Sequence, residues 1–343
     1  MLDTLRTAAG HPGRRTTLEG GDPARSRSVR SLRSPTRLTH IRGKLPEPGS
    51  ESRVWPSVVD RGRLLDSRAM EGARQFFITP GVLPTPEWLV RAGGGWHRFD
   101  MPITSGVLVR ADGSVILVDG GFSAEEIERP RSLGLIRGLS FRTKGGRSAA
   151  AVAQLKARGI DPARVVAIVA THLHLDHIGA YADFPNAEVI APAAEFASAR
   201  RLGARAGYLH IEQIVRSGRA LPVLLERADR HGFPGYKELF DGEILLLDAK
   251  GHTAGSVGVL MTSPDRAVLM AGDAAYSREE YRTASASPLM RALGFSQEWI
   301  RATWSRLADF EVENPAIEVV PSHCLDAFHA VAGCRHSASG RHT

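Results

Sequence analysis

The segment Ala170-Thr171-His172-Leu173-His174-Leu175-Asp176-His177-Ile178-Gly179 places three imidazoles and a carboxylate in an H-x-H-x-D-H pattern. Neutral imidazole nitrogens and carboxylate oxygens are borderline donors that suit zinc and its first-row neighbours. A tight loop after a strand can aim alternate side chains of this kind at two adjacent ions. A solvated polar loop is the plain alternative, but the intervening residues are apolar and burying unpaired histidines is costly. Three further candidates stand alone in the chain: His252 in Gly251-His252-Thr253-Ala254-Gly255, Asp273 in Ala271-Gly272-Asp273, and His323 in Pro321-Ser322-His323. A lone histidine is more often a satisfied core or surface group than a ligand. Together, however, these positions supply donors that each follow an apolar run. The set predicts a centre for two divalent ions, with Asp273 placed to bridge them. Zinc is the first expectation, and iron, manganese or cobalt would tolerate the same donors. Between two such ions the pKa of water falls toward neutrality, which makes a hydroxide available as a nucleophile.

These residues need strands to carry them. Val165–Ala170 is an apolar, β-branched run after Asp161-Pro162 and reads as a buried strand that delivers the H-x-H-x-D-H loop. Gly106–Val109 and Val115–Val118 flank Ala111-Asp112-Gly113, a hairpin signal. Arg147–Arg158 carries Ala150, Val152, Ala153, Leu155 and Ala157 with Gly159 behind it, and predicts a helix. Val189-Ile190 is a short strand with a helix expected over Pro192–Arg201. Glu243–Leu247 leads to His252, Ala267–Met270 to Asp273 and Ile317–Val320 to His323. Strands with helices between them imply a layered α/β architecture.

The pattern over roughly residues 100–330 resembles the metallo-β-lactamase fold superfamily. That resemblance implies an α/β (α+β) fold, a four-layer αββα sandwich with the site at one edge of its two sheets. It also implies how the donors divide. His172, His174 and His252 resemble the ligands of a first metal; Asp176, His177 and His323 resemble those of a second; Asp273 bridges. Leu117-Val118-Asp119-Gly120-Gly121 is similar to the strand-end motif whose acidic residue braces the metal loop, so Asp119 is expected to orient ligands without binding metal, an ordinary turn aspartate being the alternative. A bridging aspartate separates this chain from true β-lactamases. Gly272-Asp273-Ala274-Ala275-Tyr276 and the G-H-T-x-G form around His252 resemble the N-acyl homoserine lactone lactonases, in which a tyrosine three positions after the bridging aspartate points into the site. The resemblance therefore implies a small-molecule lactone or related ester as substrate, Tyr276 as donor to the developing oxyanion and Asp176 as proton shuttle to the leaving group. Alternatives within the fold are a thioester hydrolase of the glyoxalase II type and a phosphodiesterase or nuclease. Outside enzymes, the alternative is a metal- or nucleic-acid-binding protein. The long N-terminal tail and Cys324 after the last ligand depart from the lactonase pattern. Cys324 is a soft donor or, more simply, a small buried thiol.

Composition narrows the classes further. The chain has 343 residues, 43% of them hydrophobic, enough to bury a substantial core in one large domain or two small ones. Its net charge is +7, yet ten Lys/Arg against four Asp/Glu fall within residues 1–50. The basicity thus belongs to a tail, which argues against a nucleic-acid partner for the folded body. Arg, Ser, Thr, Pro and Gly dominate that tail, and such a segment cannot bury enough surface to offset its ordering entropy. Residues 1–70 are accordingly expected to be a disordered basic extension, 71–335 the hydrolase domain and 336–343 a C-terminal tail. Met70 is a possible later start; a transit-type address and a nucleic-acid-binding arm are the other readings of the extension. No apolar run is long enough to span a membrane. Cys324 and Cys334 are the only cysteines, which excludes a disulfide framework and points to the cytoplasm. The oligomeric state is open, with a homodimer possible. The walls of the substrate pocket are expected from residues 203–245, with Phe233, Tyr236 and Phe240 as candidates for apolar contact or, alternatively, for a core face.

Overall fold

The computed structural model describes residues 72–130 and 142–333. The expected N-terminal extension and C-terminal tail lie outside the described residues, as does Cys334. One sheet contains β1 (Arg74–Ile78), β4 (Ser105–Val109), β5 (Val115–Val118), β6 (Val165–Val169), β7 (Glu188–Pro192) and β8 (Ala220–Val223), and the other β9 (Tyr236–Leu239), β10 (Ile244–Asp248), β11 (Val257–Ser263), β12 (Arg266–Gly272) and β13 (Glu318–Pro321). A separate antiparallel pair is made by β2 (Val82–Pro86) and β3 (Arg98–Pro102). The orders are β1-β4-β5-β6-β7-β8 and β13-β12-β11-β10-β9. From β5 to β8 the pairing is parallel, as it is between β12 and β13.

Alternation along the strands explains the layering. All four residues of β5 are buried because both its faces are covered. Ile116 and Val118 turn toward the second sheet and pack in one cluster with Leu246, Val259 and Met270. Val115 and Leu117 turn the other way, onto Leu155, Phe196 and Ile214 from the helices Ala151–Ala157, Ala193–Leu202 and Ile211–Arg216. In β10, Ile244 and Leu246 face inward, whereas Leu245 and Leu247 meet Ile300, Trp304, Leu307 and Phe310 of the helix Gln297–Glu313. The result is helix, sheet, sheet, helix: the αββα sandwich. Each such buried aliphatic side chain contributes about 1.5–3 kcal/mol. Among the described residues no helix is long and apolar enough to cross a membrane.

The hairpin forms where expected, with Gly106 opposite Val118 and Val109 opposite Val115. Gly113 sits at φ 78°, and the Ser114 amide donates to Asp112 Oδ1 at 2.8 Å. The helix expected over Arg147–Arg158 is interrupted. A 3-10 turn covers Gly146–Ala149, the backbone becomes extended at Ala150 (φ −56°, ψ 144°), and the α-helix runs from Ala151 to Ala157. The break sends Ala150 into a cluster with Leu83, Phe122 and Ile127, while Ala151 and Leu155 pack on the first sheet. Two different cores thus claim adjacent residues, and a continuous helix could not serve both.

Candidate metal centre

The ends of five strands build the centre. β5 ends at Val118, and Asp119 follows in the left-handed region at φ 55°, a conformation that aspartate tolerates. Its buried carboxylate accepts from the Thr171 amide (2.8 Å to Oδ1), from the Thr171 hydroxyl (2.9 Å to Oδ2) and from His177 Nδ1 (2.8 Å to Oδ2). Asp119 therefore joins the end of β5 to the loop after β6 and fixes the ring of His177, with Nε2 turned away. The loop closes into a single helical turn, Leu175–Ile178, that presents Asp176 and His177. His252 comes from the turn between β10 and β11. Asp273 follows β12, where Gly272 (φ 59°) is needed because a Cβ there would lie 2.6 Å from Thr171. His323 follows β13, and its Nδ1 donates to the Pro102 carbonyl at 2.8 Å, leaving Nε2 for the centre.

All seven residues singled out in the sequence converge. His174 Nδ1 lies 3.0 Å from His172 Nε2 and 3.1 Å from His252 Nε2. Ligand nitrogens around a tetrahedral zinc ion, with Zn–N of about 2.0–2.1 Å, stand roughly 3.3 Å apart, so this triangle has the spacing of one cation's donors. On the other side His323 Nε2 is 3.7 Å from Asp176 Oδ2, and His177 Nε2 is 3.9 Å from the same oxygen. Asp273 stands between. Its Oδ2 is 3.4 Å from His252 Nε2 and 3.9 Å from His172 Nε2; its Oδ1 is 3.3 Å from His177 Nε2 and 3.2 Å from His323 Nε2. The donor atoms of His172, His174 and His252, and those of Asp176, His177 and His323, each lie within 4.8 Å of one another and can hold an ion. His177 Nε2 and Asp273 Oδ1 are buried 3.3 Å apart, and neither makes a well-formed hydrogen bond among the described residues. Leaving such groups unsatisfied costs about 1–3 kcal/mol each, and a cation between them removes that cost. The donor set fits a divalent metal ion.

Protonation differs across the centre. Burial, and then the other imidazoles, hold His172 well below its usual range and lower His174 to about 3; burial also lowers His252. These three are neutral donors. For His177 burial acts in the same direction, but Asp119, Asp273 and Asp176 outweigh it and raise its pKa well above the usual value; Asp273 and Asp176 raise His323. Against its own burial, Asp273 is held well below the usual carboxylate range by His323 and His177. Burial, with Asp273 and Asp176, pushes the Tyr276 phenol well above its usual value, so it remains a neutral donor. Its ring centre lies 5.5 Å from that of His323 and 6.1 Å from that of His252.

A cleft of about 460 Å³ opens onto the centre. His174, Asp176, His252, Asp273, Tyr276 and His323 form its floor. Leu202, Arg205, Tyr208 and Leu209, together with Leu83, Met101, Leu289, Leu293 and Phe295, line the rest of it. The wall expected from residues 203–245 is thus supplied only by its first few residues. Phe233 is fully buried beneath the second sheet, Tyr236 packs on the same cluster, and Phe240 packs between the sheets with the Arg110 guanidinium 5.5 Å from its ring centre. β9 lies within this segment, and the apolar side chains around it are drawn into the core, away from the cleft. Cys324 is a buried free thiol packed near Val320 and Ala327, outside every candidate ligand group. Sequence reasoning missed Glu195, a fully buried carboxylate that contacts two ligand loops, because nothing near it in the chain distinguishes it from any other glutamate of a helix's first turn.

Residues 101–323 match the family model of the metallo-β-lactamase superfamily. The chain is 29% identical over 238 residues to a protein of Mycobacterium tuberculosis named a probable metallo-hydrolase, covering 65% of this chain and 74% of the relative. It is 31% identical over 221 residues to the N-acyl homoserine lactonase AttM of Rhizobium johnstonii, covering 62% of this chain and 80% of the relative. Among solved structures, an N-acyl homoserine lactone hydrolase with N-hexanoyl-L-homoserine bound at its catalytic metal centre superposes with a TM-score of 0.60 at 21% identity, over 75% of this chain and 95% of that one. The dizinc quorum-quenching lactonase AidC superposes with a TM-score of 0.53 at 14% identity, over 74% and 88%. The matched segment contains all seven converging residues, and the chain belongs to the metallo-β-lactamase superfamily as a metal-dependent hydrolase.

Proposed function

We propose that this chain is a dinuclear hydrolase that opens a lactone or a related carboxylic ester. The observation that carries this reading is Asp273, whose two oxygens face different donor groups: Oδ2 toward His252 at 3.4 Å and Oδ1 toward His323 at 3.2 Å. His172, His174 and His252 would hold one ion, Asp176, His177 and His323 the other, and Asp273 both. Ions bound there, zinc first by the chemistry of the donors, supply a water-derived nucleophile at neutral pH and a Lewis acid for the carbonyl. The chain's own residues do the rest. Tyr276, kept protonated, donates to the carbonyl oxygen as negative charge builds on it. Asp176, at the edge of the centre and on the cleft floor, carries a proton to the departing alkoxide. The apolar side chains above hold the acyl portion and exclude water. The lactonases among the relatives and structural neighbours support the lactone over a thioester or a phosphodiester, as does the position of Tyr276 three residues after Asp273.

Purified protein assayed against acyl lactones, acyl thioesters, bis-phosphodiesters and β-lactams, alongside metal analysis, tests this directly. Lactones are expected to give the highest kcat/KM, with about two ions per chain. A higher kcat/KM on thioesters or phosphodiesters overturns the lactone assignment. Folded protein that stays metal-free after loading with zinc or manganese overturns the dinuclear centre.

A further inference from the structure

Two buried carboxylates stand beside the ligands without belonging to them. Asp119 serves the loop after β6. Glu195 lies in the first turn of the helix Ala193–Leu202, with no exposed surface, and its two oxygens divide between two loops. Oε1 accepts from the Leu173 amide at 3.0 Å, and Leu173 is the residue between His172 and His174. Oε2 accepts from the Thr253 hydroxyl at 2.7 Å and from the Gly255 amide at 3.1 Å, in the loop that carries His252. The Tyr208 side chain also hydrogen-bonds to Glu195, and its ring centre is 4.7 Å from that of His174. The approach is so close that a Cβ at Gly255 would fall 2.4 Å from the Glu195 nitrogen and 2.6 Å from its Cα. The helix start and the two loops are therefore locked as one unit, and the Leu173, Thr253 and Gly255 donors are each within three residues of His172, His174 or His252.

We propose that Glu195 is a positioning residue that sets the separation of these two loops and thereby the affinity and geometry of the His172, His174, His252 group alone. This rests on the reading that the group holds a metal ion. Asp176 and His177 take their position from Asp119 and the helical turn, and His323 from the Pro102 carbonyl, so the other group does not depend on Glu195. A carboxylate is required because both oxygens must accept. An amide of the same shape satisfies one loop and turns N–H groups toward the donors of the other.

The full chain, stripped of metal, is titrated with cobalt(II) as wild type, Glu195→Gln and His174→Ala, following both heat and visible absorption. His174→Ala removes a ligand and identifies the binding class of the first group. Glu195→Gln is expected to weaken that class by about 10–100-fold, with altered cobalt bands, and to leave the other class within about twofold. Asp119→Asn is expected to weaken the other class more than the first, since Asp119 holds His177 directly and reaches His172 only through Thr171. Wild-type affinity in Glu195→Gln, or equal weakening of both classes, overturns the proposal. If wild type binds a single ion, the dinuclear reading fails, and Glu195 then stands only if Glu195→Gln weakens that ion by at least about tenfold. Should Glu195→Gln fail to fold, Thr253→Val deletes one donor at constant shape. A several-fold weakening confined to the same class supports the proposal, and unchanged binding overturns it.

Discussion

The two donor groups meet at Asp273 yet are built on different principles. His172, His174 and His252 are three imidazoles that burial strips of protons, and they have no carboxylate of their own. Asp176, His177 and His323 sit among carboxylates, so the two histidines hold their protons above the usual value. The second group therefore balances its own charge, with Asp119 and Asp273 opposing His177 and His323. Coulombic pairing of this kind keeps its parts together. The first group has only neutral rings, with nitrogens 3.0 and 3.1 Å apart, and no charge pair of its own to hold them. Its geometry must come from backbone held elsewhere, which is where Glu195 and the close approach at Gly255 enter. One half of the centre is held by charge and the other by scaffolding.

Removing the residue common to both halves should break the comparison most severely. Asp273→Ala deletes the oxygens that face each group and is expected to cut lactone hydrolysis by at least ~10²-fold while metal content falls from about two ions per chain to about one or fewer. Retention of both ions with activity within tenfold would remove Asp273 from its shared position. Next in size is Tyr276→Phe, which takes one hydroxyl from the floor and touches neither donor group. A preorganised donor to an oxyanion is worth ~2.7–4 kcal/mol, so kcat should fall by about 10²–10³-fold with metal content and melting temperature unchanged. If kcat holds within about twofold, Tyr276 is packing.

The smallest effect, and the one that most sharpens the contrast, is the pH dependence of the metal-free protein. His174 has a folded pKa of about 3 against an ordinary 6.5. Between those values the unfolded chain binds more protons, so stability should fall as pH is lowered through that window. His177 and His323 carry the opposite sign. Their folded values are raised, so their contribution is complete below the ordinary value and is lost as pH rises through the folded one. Urea midpoints of metal-free protein across both ranges should show an acid limb that His174→Ala flattens and an alkaline limb that His323→Ala flattens. If either variant flattens both limbs, the two groups do not titrate as separate halves.

Much of the centre was legible because it is local. A β-branched run, a Gly-flanked loop and four donors in close spacing read as a strand delivering ligands, and Thr171, His172 and His177 stand where that reading puts them. The brace at Asp119 was an expectation carried by the resemblance of Leu117-Val118-Asp119-Gly120-Gly121 to the family's strand-end motif, and the structure places that carboxylate on Thr171 and His177. The interrupted helix at Ala150 was not visible, because the competing cores that break it come from distant segments. Nor were the cleft walls. Leu83, Met101 and Leu289–Phe295 reach the site only through packing, and the aromatic residues around β9 were drawn into the core instead.

Side-chain chemistry and strand period are properties of short stretches, so the sequence by itself determined which atoms could bind metal, in which loops they lie and that a layered α/β architecture carries them. Which donor atoms come within reach of one another, which histidines keep their protons and which carboxylate ties two loops together were decided only by tertiary structure. Glu195 meets Leu173 across 22 residues and Thr253 across 58, and His323 meets the Pro102 carbonyl across 221. Contacts of that range exist only once distant strands have paired and the layers have packed, and the burial that sets each proton affinity exists only then as well.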